Sequence, residues 1–176
     1  MVKVLRIFTY MVFFILALIY FIPKSSVYYY VEKELELYNI ILSQEEIVQN
    51  NFSLDINNAQ VTYQKIDSAE IENIDVKIFL VYNSIDLVNV KLSSMASAFI
   101  PTKIDILNLK YSVINPLHIE VEASGEFGDV KGEIDVVDRN LSMILSPSEL
   151  MLKKYKNSLK LSKKNEQGEY EYDKTF

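Results

Sequence analysis

The chain of 176 residues holds 24 acidic against 18 basic side chains, one histidine, four glycines and no cysteine. Without cysteine there is no disulfide, thiol nucleophile, iron–sulfur cluster or cysteine-ligated zinc; His118 alone supports little imidazole chemistry, and four glycines leave little for a phosphate-cradling loop. Setting Lys3 and Arg6 aside with the N-terminal segment leaves 16 bases against 24 acids, a balance that argues against a nucleic-acid partner, whose phosphates call for a basic surface.

Residues 1 to 23 read as a membrane anchor, with Ile7, Phe14, Leu18 and Ile22 among its apolar positions. Ile7 to Ile22 is an uncharged run of 16 residues, eleven of them Leu, Ile, Phe or Val, and each of the eleven favours insertion by about 0.3 to 0.6 kcal/mol. Sixteen residues rise about 24 Å, short of a hydrocarbon core of roughly 30 Å, and Val4 and Leu5, with Arg6 snorkelling to the headgroups, close the gap. A cleaved signal peptide has a shorter core and small residues before the cut, whereas Phe21, Ile22, Pro23 and Lys24 follow here, so the anchor is expected to remain. Lys3 and Arg6 put the N-terminus in the cytoplasm and residues 24 to 176, one domain, outside it. Tyr28, Tyr29 and Tyr30 then allow two readings: an aromatic belt at the membrane interface, or a short helix whose stripe of Val27, Tyr30, Val31 and Leu35 packs on the domain.

Ser43-Gln44-Glu45-Glu46 has the form of a capping box and predicts a short helix. Phe52, Leu54 and Ile56 alternate with polar residues, and Ala59, Val61 and Tyr63 resume the alternation after Asn57-Asn58, which predicts a hairpin turning on the two asparagines. Ile74, Val76, Ile78, Leu80 and Tyr82 alternate next. After Asn83-Ser84 the phase slips to Ile85 and Leu87, then to Val90 and Leu92; it slips again where Ile104 and Ile106 give way to Leu107, Leu109, Tyr111 and Val113. Each slip predicts a turn or bulge. Leu117, Ile119, Val121 and Ala123 follow Asn115-Pro116, and Val130, Gly132, Ile134 and Val136 follow a turn from Gly125 to Gly128. Period-two patterning of this kind describes an antiparallel sheet with one apolar and one wet face. Ser146, Pro147 and Glu149 predict a helix burying Met151, Leu152, Tyr155 and Leu159, and Gly168 a break before a last strand at Tyr170 and Tyr172. The expected fold is therefore mainly β, an α+β arrangement in which a meander sheet carries short N-terminal and C-terminal covering helices.

Chemistry-bearing clusters are few. His118, Glu120 and Glu122 share a strand face, where alternate residues stand near 7 Å apart; they form either a divalent-metal set or simply the wet side of a strand, and the latter needs no further assumption. No nucleophile elbow occurs, so no catalytic, cofactor or metal residue is assigned and the chain is expected not to be an enzyme. Lys153, Lys154, Lys156 and Lys160, with Lys163 and Lys164, make an acid-free stretch that reads either as a contact for anionic lipid or an acidic protein or as a solvated helix face. Asp138-Arg139-Asn140-Leu141-Ser142 fits a bacterial N-glycosylation sequon at Asn140.

The order of elements carries a resemblance: one N-terminal anchor closed by Pro23, then Leu42-Ser43-Gln44-Glu45, Phe52 to Tyr63, the Gly125 to Ile144 run, Ser146-Pro147-Ser148-Glu149 and Gly168-Glu169-Tyr170. Over nearly the whole chain it resembles type II secretion system protein N and the related AsmA-like β-rich domains of the periplasm. The resemblance implies a single-pass inner-membrane protein with a periplasmic domain, non-enzymatic and without cofactor, acting as an accessory or scaffold among protein partners of an envelope machine such as a type II secretion or pilus-like system. An alternative is a lipid-handling module that holds acyl chains on an apolar sheet face. A sealed core favours the first and an open apolar face the second.

Overall fold

The structure, a computed structural model, describes residues 2–21, 23–79 and 81–176, with the side chains of residues 2 and 19 outside the description. Two helices come first, α1 (Val2–Phe21) and α2 (Lys24–Leu37). Strands β1 (Ile40–Ser43), β2 (Glu46–Gln49), β3 (Ser53–Tyr63), β4 (Ile66–Ile78), β5 (Tyr82–Leu92), β6 (Lys103–Ser112), β7 (Asn115–Gly125), β8 (Gly128–Asp135) and β9 (Asn140–Pro147) follow in order. Helix α3 (Glu149–Lys154), a 3-10 turn at Ser158–Leu161, β10 (Lys163–Lys164) and β11 (Tyr170–Thr175) complete the chain. All strands belong to one antiparallel sheet. Each of β3 to β8 pairs with its successor, β1 and β2 both pair with β3 at the first edge, and β11 lies between β9 and β10 at the other. This is the mainly β meander that the alternation predicts.

Register turns the alternation into rows of side chains running across the sheet. On one face Leu54, Val76, Ile85, Leu109, Val121, Gly132, Met143 and Tyr172 are successive cross-strand neighbours. The next row on that face is Ile56, Ile74, Leu87, Leu107, Ala123, Val130, Leu145 and Tyr170. Further along the strands the phase slips, and it slips in neighbouring strands at the same level. Apolar positions step from Ile56 to Ala59, Ile71 to Ile74, Leu87 to Val90 and Ile104 to Leu107, three residues where alternation allows only two or four. Asn58 (φ 57°) and Asn89 (φ 53°) adopt left-handed backbone at this level, as does Gln44 (φ 65°) in the break between β1 and β2, and β6 carries an irregularity between Ile104 and Ile106 against β7. A left-handed residue inside a strand skips one position, so the apolar residues on both sides of it return to the same face. Because β3 and β4 slip together, Asn57 still meets Asn73 and Ala59 still meets Ile71.

Two separate clusters form the core. Tyr28 of α2 packs with Leu54, Ile56, Ala59, Ile71, Ile74 and Val90. Met151, Tyr155 and Leu159 pack with Ile100, Phe127, Leu145 and Tyr170 at the far side of the sheet.

Several expectations are corrected. Ser43 to Glu46 is not a helix start: Ile47 and Val48 pair with β3, and cross-strand pairing outweighs a cap with no apolar helical stripe behind it. Asn57-Asn58 is not a hairpin but the slip inside β3, and the chain reverses at Gln64-Lys65 instead, both with positive φ. Nor does Asn83-Ser84 turn; both lie in β5, and the reversal falls between Ile78 and Tyr82, so the set from Ile74 to Tyr82 is divided between β4 and β5 rather than forming one strand, its Leu80 lying outside the described residues. Helix α2 does pack on the sheet, but with Lys24 and Tyr28 buried and Glu32 and Leu35 half-buried, leaving Val27, Tyr30 and Val31 exposed. Only one ring of the tyrosine triplet, Tyr28, is internal. Ser148 rather than Ser146 caps α3, accepting from the Met151 N–H at 3.1 Å. Met151, Tyr155 and Leu159 are buried as expected, whereas Leu152 is exposed. Val136 lies just past β8, also exposed. Among the described residues no helix is long and apolar enough to cross a membrane, and Ile22 lies outside them.

Candidate functional site: an apolar sheet face

Helix α2 covers the apolar face over β1 to β3, and α3 covers it at β9. Between these helices the rows continue over β5 to β8 through Leu87, Leu107, Leu109, Ile119, Val121 and Val130, all only half-buried, and through the more exposed Ile85. A face this apolar is normally sealed by a second layer. The total accessible surface makes the same point: 12306 Å², against about 8,800 Å² for a compact protein of this mass. Part of the excess is α1, on which Ile7, Phe14 and Leu18 are exposed along with most of their apolar neighbours; the open middle of the sheet adds to it.

The opposite face is polar and internally paired. Asp55, Asp75, Asp86, Asn108, Glu122 and Lys131 form one cross-strand row. Adjacent carboxylates repel, and Lys77 relieves this by bridging Asp75 at 2.7 Å and Asp86 at 3.0 Å; those two hydrogen bonds hold its ammonium above the ordinary lysine range, against the opposing effect of burial. Asn108 donates to Asp86. Lys110 reaches Glu122 at 2.7 Å and depresses its carboxyl. A groove of about 850 Å³ follows the phase slip on this side, lined in part by Gln44, Asn58, Gln60, Glu72, Asn89 and Lys91.

His118 does not join Glu120 and Glu122. Its Nδ1 instead meets Glu133 and, at 3.6 Å, Asp135, both on neighbouring β8. Cross-strand partners stand near 5 Å apart, closer than alternate residues of one strand. Asp135 is itself engaged, its carboxylate accepting from the backbone N–H groups of Asp138 and Val137 at 2.8 Å each, which together hold its pKa down. Among the described residues no group of three acidic or imidazole side chains is placed to hold a metal ion.

Lys153, Lys154, Lys156 and Lys160 are all exposed but do not share one helix face. Helix α3 ends at Lys154, Lys153 pairs with Glu149 at 2.7 Å, Lys154 lies 5.3 Å from the Tyr155 ring centre, and Lys160 sits on the 3-10 turn. Asn140 lies inside the sheet with Asp135 and Thr175 on its two sides, and its Nδ2 donates to Ser142 Oγ at 3.2 Å.

One polar cluster escapes sequence reasoning. The Tyr28 hydroxyl donates to Glu45 Oε1 at 3.2 Å; burial, with the nearby Glu45 and Glu32 charges, drives its pKa far up. Glu32 beside it is also raised, by burial and then by Glu45 and Glu36. No spacing in the sequence links residue 28 to residue 45, since only the docking of α2 joins them. Compared with known proteins, the chain matches no family model, no curated protein and no solved structure.

Proposed function

We propose that this chain is a single-pass protein of a bacterial inner membrane, with its N-terminus in the cytoplasm and its β domain in the periplasm, serving without catalysis as an accessory or scaffold of an envelope machine such as a type II secretion system. The observation that carries the reading is α1. The uncharged run Ile7 to Ile22 supplies most of the thickness of a hydrocarbon core, and the apolar side chains described on α1 stand exposed around the helix rather than along one stripe. Such a helix is stable in lipid, where its backbone is internally satisfied and its side chains are matched to the surroundings. A C-terminal reporter fusion combined with alkaline extraction tests it. Activity of a periplasm-only reporter and retention in the pellet are expected; activity of a cytoplasm-only reporter, or release into the supernatant, refutes it.

A second reading, that the domain handles lipid, is favoured by one specific observation: the apolar rows over β5 to β8 are left half-open between α2 and α3. An acyl chain laid along the strands would bury Leu87, Leu107, Leu109 and Val121 at about 25 cal/mol per Å² of surface removed from water. Lipid co-purifying with the wild-type chain, and lost when Leu107 and Val121 are both changed to Ser, supports this reading; unchanged lipid recovery from the folded variant removes it.

A further inference from the structure

The meander places its chain reversals alternately at two ends of the sheet, and the two ends differ. At one end lie the Phe52 entry to β3, the β4–β5 reversal with Phe79 and Val81, the β6–β7 reversal with Val113 and Ile114, the β8–β9 reversal with Val136 and Val137, and the terminal Phe176. All of these are exposed, Ile114 to 83% and Val137 to 63%. Charge in these reversals is confined to Asp138 and Arg139. The hairpins at the opposite end turn on Gln64-Lys65 and on Glu126-Phe127, where Phe127 packs into the Met151 cluster; Tyr38, Tyr63, Ile66, Met95 and Phe99 are exposed there too, but among serines or interleaved with the charges of Lys65, Asp67, Lys103 and Glu126.

The apolar end is also where α1 meets the domain. Tyr20 stands edge-on to Phe52 with ring centres 6.1 Å apart, and Phe52 stacks on Phe79 at 6.0 Å. Lys24, the first residue of α2, is buried beside the same rim with its Nζ donating to Asn51 O at 2.6 Å, and Ser25 Oγ donates to Gln49 Oε1 at 3.0 Å. Three residue steps separate Phe21 from Lys24, a reach of at most about 11 Å. If α1 lies in a bilayer, the rim cannot be far from its surface. From β3 to β9 it spans six strand spacings, about 29 Å at 4.8 Å each, wide enough for several of its side chains to enter the headgroup region together.

We infer that this rim, Phe52, Phe79, Val81, Ile114, Val137 and Phe176, is a second membrane contact that seats the sheet end-on upon the bilayer holding α1. The occupant is a phospholipid surface. A protein partner would need a pocket for every tip, whereas the headgroup and acyl boundary accepts isolated apolar side chains at one depth without shape complementarity, and Arg139 beside Val137 can extend its stem along the tip while its guanidinium stays with the phosphates. The inference rests on the proposed anchoring of α1 and adds an orientation to it.

Full-length protein reconstituted in phosphatidylethanolamine–phosphatidylglycerol vesicles tests it. Because the chain has no cysteine, a single introduced thiol carries an environment-sensitive fluorophore at one known place: Ile114→Cys and Val137→Cys on the rim, Glu126→Cys at the far end, Phe14→Cys in α1. Circular dichroism matching the wild type qualifies each variant. Nitroxide lipids labelled near the headgroup are expected to quench the 114 and 137 probes and blue-shift their emission, leaving the 126 probe as bright as in vesicles without nitroxide. Rim probes as unquenched as the 126 probe overturn the inference. The Phe14 probe reports separately on the anchor through lipids labelled deep in the acyl chain: quenched there with silent rim probes, the anchor stands and the seating fails; silent there, the anchor reading itself fails.

Discussion

Asn58 allows a direct test of the slip line. It is exposed and sits at φ 57° in the middle of β3, so replacing it removes no buried contact and the whole effect falls on the backbone. Left-handed geometry costs an L residue about 1 to 2 kcal/mol, with β-branched residues at the upper end. Asn58→Val is therefore expected to destabilise the fold by about 2 kcal/mol, although valine favours strands elsewhere. Asn58→Gly, free of the left-handed penalty, should stay within about 0.5 kcal/mol of wild type. Asn83 provides the control: it is half-buried in β5, between Ile78 and Tyr111 on the apolar face and without left-handed backbone. Asn83→Val should be neutral or stabilising by up to about 1 kcal/mol, because an apolar β-branched side chain suits that surface. Urea unfolding of the full chain in detergent micelles, followed by far-ultraviolet circular dichroism, reads the difference; with a slope near 2 kcal/mol per molar, Asn58→Val lowers the midpoint by about 1 M. Equal shifts for the two valine variants would mean that β3 does not slip at Asn58 and that the coherent kink is wrong.

Glu32→Gln should raise the thermal midpoint at neutral pH. A carboxyl whose pKa is raised on folding binds its proton more tightly in the native state, so stability falls as pH climbs from the ordinary carboxylate pKa through the raised one; the advantage of the glutamine should accordingly vanish on acidification below the ordinary value, and a constant advantage in melts across pH 4 to 8 would contradict the cause given. Replacing Lys153, Lys154, Lys156 and Lys160 together by Gln should leave the urea midpoint nearly unchanged, since the four are exposed and exposed substitutions cost within about 0.5 kcal/mol, while reducing recovery of partners from cross-linked membranes. Undiminished recovery would return these lysines to solvent.

The sheet was legible because the apolar face demands alternation: Leu117 to Ala123 and Val130 to Ile134 fall where they must, and the steps from Leu87 to Val90 and from Ile106 to Leu107 were visible as slips. What a slip means was not. Asparagine tolerates the left-handed region equally in a two-residue turn and inside a strand, so Asn57-Asn58 looked like a reversal when only pairing with β4 decides. The docked side of α2 was hidden for a related reason. Its inward residues are Lys24, Tyr28 and Glu32, polar at their tips, and the partners of the first two, Asn51 O and Glu45, are distant in sequence. Hydropathy therefore selected Val27, Tyr30 and Val31, which face outward. Ser146 and Ser148 both precede Glu149, and the longer reach of β9 gave the cap to the second. The rim is not legible in the sequence because its members lie in five separate stretches of chain and converge only once the hairpins are stacked.

On the proposed seating, strand length sets a distance from the bilayer. Strands β3, β5 and β7 have 11 residues each, at most about 36 Å at 3.3 Å per residue. With the Ile114 end seated on lipid, the Gln64 and Glu126 hairpins and the exposed Met95 and Phe99 stand that far out, less whatever the strands lose to tilt. A protein lying flat on the same membrane passes beneath them. Only a partner that itself rises a comparable height, or one descending from an opposing membrane, meets that end, so truncating a partner's stalk should abolish contact there while leaving contacts near the rim intact.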